Sequence, residues 1–548
     1  MTARLRSGGQ VLVDQLLLHG AELVFAVPGE SYLPVLDALH DATDRLRLIV
    51  CRHEAGAANA AEACGKLTGR PGVCLVTRGP GATQAAVGVH TAMQDSTPML
   101  LLVGQVDRGH GGREAFQEID IARVFGGLAK WAAQIEDAAR IPEYLSRAYH
   151  AATSGRPGPV VLGLPEDMLA DEVQTADAAP FRAVQATPGE AELAEVRAAL
   201  GAAERPMVLV GGSPWDERAA DDLRAFAEAS ALPVVASFRR QSHLTHDSPS
   251  YVGECGLGSN PALRERIRTA DLLLVIGARL GEVVTGGYEL LAPPRPAQRL
   301  IHVHPSPDEL GKVYAPDIPV LASGPRFVAA ARALAPIDAP PWRDRAAEAR
   351  TEFLRWCEPA PRELEGVDLG AVMAHLRETL PPDAIVTNGA GNYTVWMHRY
   401  GRFRRYGAQL APTSGAMGYG LPAAIAAKAL YPDRVVIAFA GDGCFQMQSC
   451  ELATAAQERL AVVVLIANNG MYGTIRMHQE RLYPGRVVGT QLDSPDFVAL
   501  AQAHGAHGEL VSRNDQFAPA LARALAAGVP AVVDLRTDPR AITPTAML

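Results

Sequence analysis

The segment from Val435 to Ile475, VVIAFAGDGCFQMQSCELATAAQERLAVVVLIANNGMYGTI, restricts this chain to a narrow set of folds. VVIAFA and AVVVLIA are short, uninterrupted apolar runs, the pattern of strands buried on both faces of a parallel sheet. Parallel neighbours need a long crossover, and MQSCELATAAQE has the length and composition of its helix. The first strand ends in Gly441-Asp442-Gly443 and the second in Asn468-Asn469-Gly470. Carboxyl ends of parallel strands share one edge, where ligands bind. The two turns therefore bring a carboxylate and a side-chain amide together, beside backbone N–H groups freed by glycine.

Those oxygens suit a hard divalent cation. Magnesium favours octahedral oxygen coordination, commonly one or two carboxylates completed by substrate phosphates and water. Asp442 and the Asn469 amide oxygen supply two ligands, and a carbonyl of the following loop, that of Met471, a third. Gly443 and Cys444 open a helix whose first N–H groups suit an anion. A lone GDG turn is weak and is matched by ordinary glycine turns in α/β sheets. The two turns together, one crossover apart, point to a metal and diphosphate site.

The same alternation of strand and helix runs through the chain. VLVDQLLLHG reads as a helix closing on Gly20, and ELVFAVPGES as a strand ending in Pro28-Gly29. LRLIVCRH is a strand followed by Glu54, AGAANAAEACGKLTG a small-residue helix, and VCLVT a strand ending in Arg78-Gly79-Pro80-Gly81. PMVLVGGS, LPVVASF, DLLLVIGAR and QRLIHVHP form a second group of strands; AIVTNGAG, VVIAFAGDG, AVVVLIANN and PAVVDLRTD form a third. DEVQTADAAPFRAVQATPGE and the Pro-rich PIDAPPWRD read as linkers. At 548 residues, and ~150 residues per domain, the expectation is an α/β fold of three domains, each a mainly parallel sheet flanked by helices. Their expected bounds are 1–170, 190–340 and 360–540.

A net charge of −9 gives no electrostatic case for a nucleic acid or an anionic membrane as partner. No uncharged apolar run reaches ~18 residues, and MTARLRSGGQ leads into a helix pattern rather than a signal-type apolar core. The seven cysteines lack metal spacing, which suggests reduced thiols and a cytoplasmic location.

The paired GDG and NN turns resemble the thiamine diphosphate signature of decarboxylases and carboligases of the acetolactate synthase type. The resemblance, which extends to benzoylformate decarboxylase-like enzymes, covers nearly the whole chain. It implies a pyrimidine-binding, a central and a diphosphate-binding domain, with thiamine diphosphate and Mg2+ held between the first domain of one subunit and the third of another. The protein would then be a homodimer or homotetramer. The implied cofactor neighbours include Gly441, Gly443, Cys444, Asn469, Met471 and Tyr472. NGAGNYTVW resembles the diphosphate-binding loop and adds Gly391, Asn392 and Tyr393; Met417 in SGAMGYG matches the apolar residue wedged beneath the cofactor.

IVCRHEAGAANAAEA resembles the segment whose glutamate, here Glu54, contacts the cofactor's pyrimidine ring. A carboxyl at the pyrimidine N1′ shares a proton and so turns the 4′-amino group into a base. Without the resemblance, Glu54 reads equally as a carboxylate facing a helix dipole. AVPGES, with Pro28, resembles the loop that roofs the thiazolium ring, and TRGPGAT, with Gly79 and Pro80, the loop beside the pyrimidine. Glu30 and Arg78 stand where relatives carry small residues. Glu30 reads as a proton relay or a solvated acid, Arg78 as a surface arginine or a bidentate partner for a substrate carboxylate. REAFQEID resembles the motif in which Phe116 and Gln117 line the substrate channel, and Lys130 and Ile475 are further pocket candidates.

The implied reaction is decarboxylation of a 2-oxo acid followed by attack of the resulting enamine on a second carbonyl. The alternatives are simple decarboxylation, 2-hydroxyacyl-CoA lyase chemistry and, from another class, a non-catalytic paralogue. His478, a further pocket candidate, stands where the synthases usually have a tryptophan that biases the choice of acceptor, and LGEVVTG lacks the arginine of their FDDRVTG stretch. The second departure makes FAD doubtful, and no stoichiometric flavin is expected.

Overall fold

The computed structural model describes residues 4–548. Two compact units emerge, one containing the residues to Val184 with Leu421–Pro432 and Gln448–Leu460, the other the remainder of the chain. In the first unit six parallel strands lie in the order Arg47–Val50, Leu23–Ala26, Gly72–Val76, Met99–Gln105, Pro159–Pro165, Trp131–Gln134. The apolar runs fill its interior positions; Gly72–Val76, Met99–Gln105 and Pro159–Pro165 are buried along their whole length.

The second unit holds two further six-stranded parallel sheets. One runs Tyr251–Cys255, Val234–Ser237, Pro206–Val210, Leu272–Ile276, Arg299–His304, Ile318–Leu321. The other runs Gln409–Leu410, Ile385–Asn388, Val436–Gly441, Val463–Asn468, Ala531–Arg536, His507–Val511. Three parallel α/β sheets are thus present, as the alternating pattern required.

The crossover between Val436–Gly441 and Val463–Asn468 corrects the expectation of one continuous helix. It is two short helices, Asp442–Gln446 and Glu451–Gln457, separated by a turn. The break lets the second helix join the first unit, where Arg47 donates to Glu458 (2.7 Å) and the Thr454 hydroxyl to the Val50 carbonyl (3.3 Å).

Each sheet reverses its winding between the first of its strands in chain order and the neighbour reached on the return, and there two neighbouring loops diverge from one edge. In the first unit the reversal lies between Leu23–Ala26 and Gly72–Val76, so the loops carrying Pro28-Gly29-Glu30 and Arg78–Gly81 meet there. In the last sheet it lies between Ile385–Asn388 and Val436–Gly441, which brings together Gly389–Asn392 and Asp442. In the middle sheet it lies between Pro206–Val210 and Leu272–Ile276, at Gly211-Gly212 and Gly277.

Helices Glu54–Thr68 and Gly79–Asp95 pack closely because their facing residues are small. A Cβ on Gly88 would stand 2.4 Å from Ala58 Cβ. Gly88→Val should force these helices apart and cost about 1–3 kcal/mol, the scale of an overpacked core. Chemical denaturation of the purified variant measures it, and an unchanged midpoint would show that the contact can relax.

Candidate active site

At the reversal of the last sheet lies a cavity of about 210 Å3. Gly391, Asn392, Tyr393, Met417, Gly441, Asp442, Gly443, Cys444, Asn469, Met471, Tyr472 and Ile475 all line it. Asp442 is 2 % exposed at the start of the first crossover helix. Burial pushes its pKa up, opposed by the Ser494 hydroxyl, which donates to Oδ2 at 2.8 Å, and by the Gly443 N–H. Asn469 Oδ1 accepts the Met471 N–H (3.2 Å), which folds the loop back so that both residues face the cavity. Among the described residues no group of three His, Cys, Asp or Glu could hold a metal. Asp442 with neutral oxygens is a donor set that anionic ligand oxygens must complete.

The remaining walls are tied down from behind. Asn392 and Thr474 are paired twice at 2.9 Å, backbone N–H to hydroxyl and hydroxyl to Oδ1. The Tyr393 hydroxyl is engaged internally, accepting the Gly389 N–H (3.1 Å) and donating to Cys444 Sγ (3.3 Å), so its ring rather than its hydroxyl faces the cavity. Met417 is partly buried against the sheet's core. Sequence reasoning missed Thr474 and Ser494. Thr474 lies inside the quoted GMYGTI loop, whereas Ser494 comes 52 positions after Asp442 with no motif around it. His478 is exposed on helix Gly473–Leu482 and does not line the cavity.

In the first unit Glu54 is the first residue of helix Glu54–Thr68, after the His53 N-cap. Its Oε1 lies 3.4 Å from where a Cβ on Gly81 would stand, a distance that a side chain there would close. Gly79 donates its N–H to the Gln117 carbonyl (2.8 Å), and Gln117 itself sits at φ +65°, a left-handed conformation unusual for a side-chain-bearing residue. Ser31 and Thr77 share a hydrogen bond of 3.0 Å across the two loops. Pro28, Glu30, Glu54, Gly79, Pro80 and Gln117 therefore gather at one sheet edge, and neighbouring Phe116 is 74 % exposed.

Two further residues depart from expectation. Arg78 is no surface arginine: it is 6 % exposed and held between Glu30 (3.2 Å) and Glu166. Two carboxylates already occupy its guanidinium, so it is not a free partner for a substrate carboxylate. Lys130 precedes strand Trp131–Gln134 and so lies at the amino end of the sheet, opposite the edge that carries Glu54. Its Nζ donates to the Ser154 carbonyl (2.7 Å), and burial pushes its pKa down to about 8.

Comparison with known proteins identifies the family. Residues 6–124 match the N-terminal TPP binding domain of thiamine pyrophosphate enzymes, residues 193–330 the central domain and residues 389–535 the C-terminal TPP binding domain. The acetolactate synthase large subunit of Corynebacterium glutamicum is 33% identical over 535 residues, 94% of this chain and 84% of that protein. The acetolactate synthase isozyme 2 large subunit of Escherichia coli is 31% identical over 537 residues, covering 97% and 96%. A probable acetolactate synthase large subunit of Methanocaldococcus jannaschii is 32% identical over 555 residues, covering 98% and 93%. With all three domains matched and relatives aligned along nearly its full length, the chain belongs to the thiamine pyrophosphate enzyme family.

Proposed function

We propose that this chain is a thiamine diphosphate- and Mg2+-dependent carboligase acting on a 2-oxo acid, in the manner of its acetolactate synthase relatives. The observation that carries the reading is the cavity in which buried Asp442, Asn469, Met471 and Met417 converge. The residues present fit the cofactor: Asp442, the Asn469 amide oxygen and the Met471 carbonyl would hold the metal, and the N–H groups of Gly443 and Cys444 would take diphosphate oxygens. Met417 would brace the cofactor from below, and Glu54 would hold a proton at the pyrimidine N1′. When bound, thiamine diphosphate supplies a carbon nucleophile and an electron sink for loss of carbon dioxide. Gln117 and Glu30 stand on the Glu54 edge; the Gln117 side-chain amide would orient the acceptor carbonyl, and Glu30, held by Arg78, would relay protons.

A homodimer or homotetramer would pair the Glu54 edge of one subunit with the diphosphate cavity of another. Leu33 and Phe116 are exposed on that edge, where a covering partner would bury them. No helix among the described residues is long and apolar enough to cross a membrane. The free, mostly buried thiols support a cytoplasmic location.

We infer further that the central domain holds no flavin, a reading its sheet reversal supports. At its sheet reversal, where a dinucleotide would lie, the chain places its own Trp215, 5 % exposed. The indole donates to the Gly211 carbonyl (2.9 Å) and lies so close to Gly324 that a Cβ there would stand 2.8 Å from its ring. His243 packs on it at 5.0 Å between centroids, and the Tyr406 hydroxyl donates to the Trp215 carbonyl (2.9 Å).

Three measurements test this reading. Glu54→Gln keeps size but cannot share a proton, so exchange of the cofactor's C2 proton with deuterated water should slow by at least ~10²-fold, with affinity for thiamine diphosphate falling less. Equal rates would leave Glu54 a helix-terminal carboxylate.

Burial raises the Asp442 pKa, so its ionised form costs the metal-free fold stability at pH 7, and that cost fades as pH falls through the raised value. Asp442→Asn should therefore match or exceed wild type in melting temperature without ligands at pH 7. The wild type alone should gain on adding Mg2+ and thiamine diphosphate; an equal gain in the variant would remove Asp442 from the metal site.

The purified protein should also lack flavin absorbance. A preparation with about one flavin per chain would show that Trp215 vacates the crevice.

A further inference from the structure

We infer that Glu451 is a positioning residue for Glu54, holding through its carboxylate the two backbone N–H groups that immediately precede it. The inference rests on the reading of Glu54 given above. The ladder of strand Arg47–Val50 ends where Cys51 N–H donates to the Ala26 carbonyl (2.8 Å). Helix Glu54–Thr68 begins three residues later, with His53 Nδ1 accepting from Ala55 N–H (3.0 Å). Between ladder and helix lie the N–H groups of Arg52 and His53, which neither element can satisfy. Glu451 takes both: Oε1 accepts from Arg52 at 3.2 Å and from His53 at 3.0 Å, and Oε2 is also 3.3 Å from the Arg52 nitrogen.

The surroundings are built for this contact. Glu451 is fully buried, and the Thr454 hydroxyl donates to Oε2 at 2.6 Å, which fixes the carboxylate plane. Gly56 leaves the space it needs, because a Cβ there would stand 2.3 Å from Oε1. The Arg52 side chain clamps the same turn from outside, donating to the Val50 carbonyl (3.0 Å) and to Gln457 (2.7 Å). The turn that aims Glu54 is thus held by helix Glu451–Gln457 rather than by its own sheet. A carboxylate accepting backbone N–H groups is a strong, directional clamp, and a small error in the pose of an acid–base group costs rate steeply.

The test uses the full-length holoenzyme and compares Glu451→Ala, Glu451→Gln and Gly56→Ala. The last keeps Glu451 but puts a methyl against its Oε1. Exchange of the cofactor's C2 proton should fall at least ~10-fold in Glu451→Ala and in Gly56→Ala, the scale of losing hydrogen bonds to a charged group. It should stay within about threefold of wild type in Glu451→Gln, whose amide oxygen can still accept both N–H groups. Hydrogen–deuterium exchange of a peptide spanning residues 50–56, read by mass spectrometry without cofactor, should speed up in the same two variants and not in Glu451→Gln. Because the effect passes through Glu54, Glu54→Gln/Glu451→Ala should exchange C2 no slower than Glu54→Gln alone. A wild-type C2 rate in both Glu451→Ala and Gly56→Ala, or a further multiplicative loss in the double variant, overturns the inference while leaving Glu54 its role. A wild-type rate in Glu54→Gln overturns the role of Glu54 and this inference together. Should Glu451→Ala fail to fold, Gly56→Ala and Glu451→Gln carry the same comparison.

Discussion

Parallel strands cannot be joined by tight turns, so each hands the chain to a crossover and every strand of a sheet presents its carboxyl end to one edge. Where the winding reverses, neighbouring loops part and leave a crevice that nothing in the sheet itself fills. This constraint operates in all three sheets, with three outcomes. In the last sheet the crevice is the cavity lined by Asp442, Asn469 and Met417. In the first unit it gathers Glu30, Arg78 and Gly79 beside Glu54. In the middle sheet Trp215, backed by His243 and Tyr406, occupies it from within.

Burial shapes the electrostatics of two carboxylates. Asp442 and Glu451 are nearly or fully inaccessible, and burial raises both of their pKa values. They are held by donors of different kinds. Asp442 has the Ser494 hydroxyl and borders a cavity, where the proposed cation would meet it. Glu451 is saturated by two backbone N–H groups and a hydroxyl, so it has nothing left for a ligand. On the reading proposed above, one carboxylate serves chemistry and the other geometry, and their partners decide which.

Much of the architecture was legible in the sequence because interior parallel strands are buried on both faces and read as continuous apolar runs, as VVLIA and LLLVI do. The strands that escaped notice, among them Trp131–Gln134, Ile318–Leu321 and His507–Val511, lie at the outer edges of their sheets. An edge strand is partly exposed and carries a mixed pattern that a loop can imitate. The break between the two crossover helices was equally invisible, since MQSCELATAAQE has good helical composition throughout and the turn serves packing in the first unit.

By itself the sequence determined the parallel α/β class, the pairing of Asp442 with Asn469 and the strand-end placement of Glu54. Each follows from local chemistry: residues that directly follow the apolar run of a parallel strand stand at the sheet's carboxyl edge. The tertiary structure decided what required distant partners. It enclosed Arg78 between Glu30 and Glu166, put Lys130 at the opposite edge, and brought Ser494 to Asp442 across 52 positions. It also placed Glu451 on the turn before Glu54, 399 positions from Arg52. Hydrogen bonds and burial at such separations depend on which loops the fold brings to one edge, and no residue pattern along the chain encodes that proximity locally.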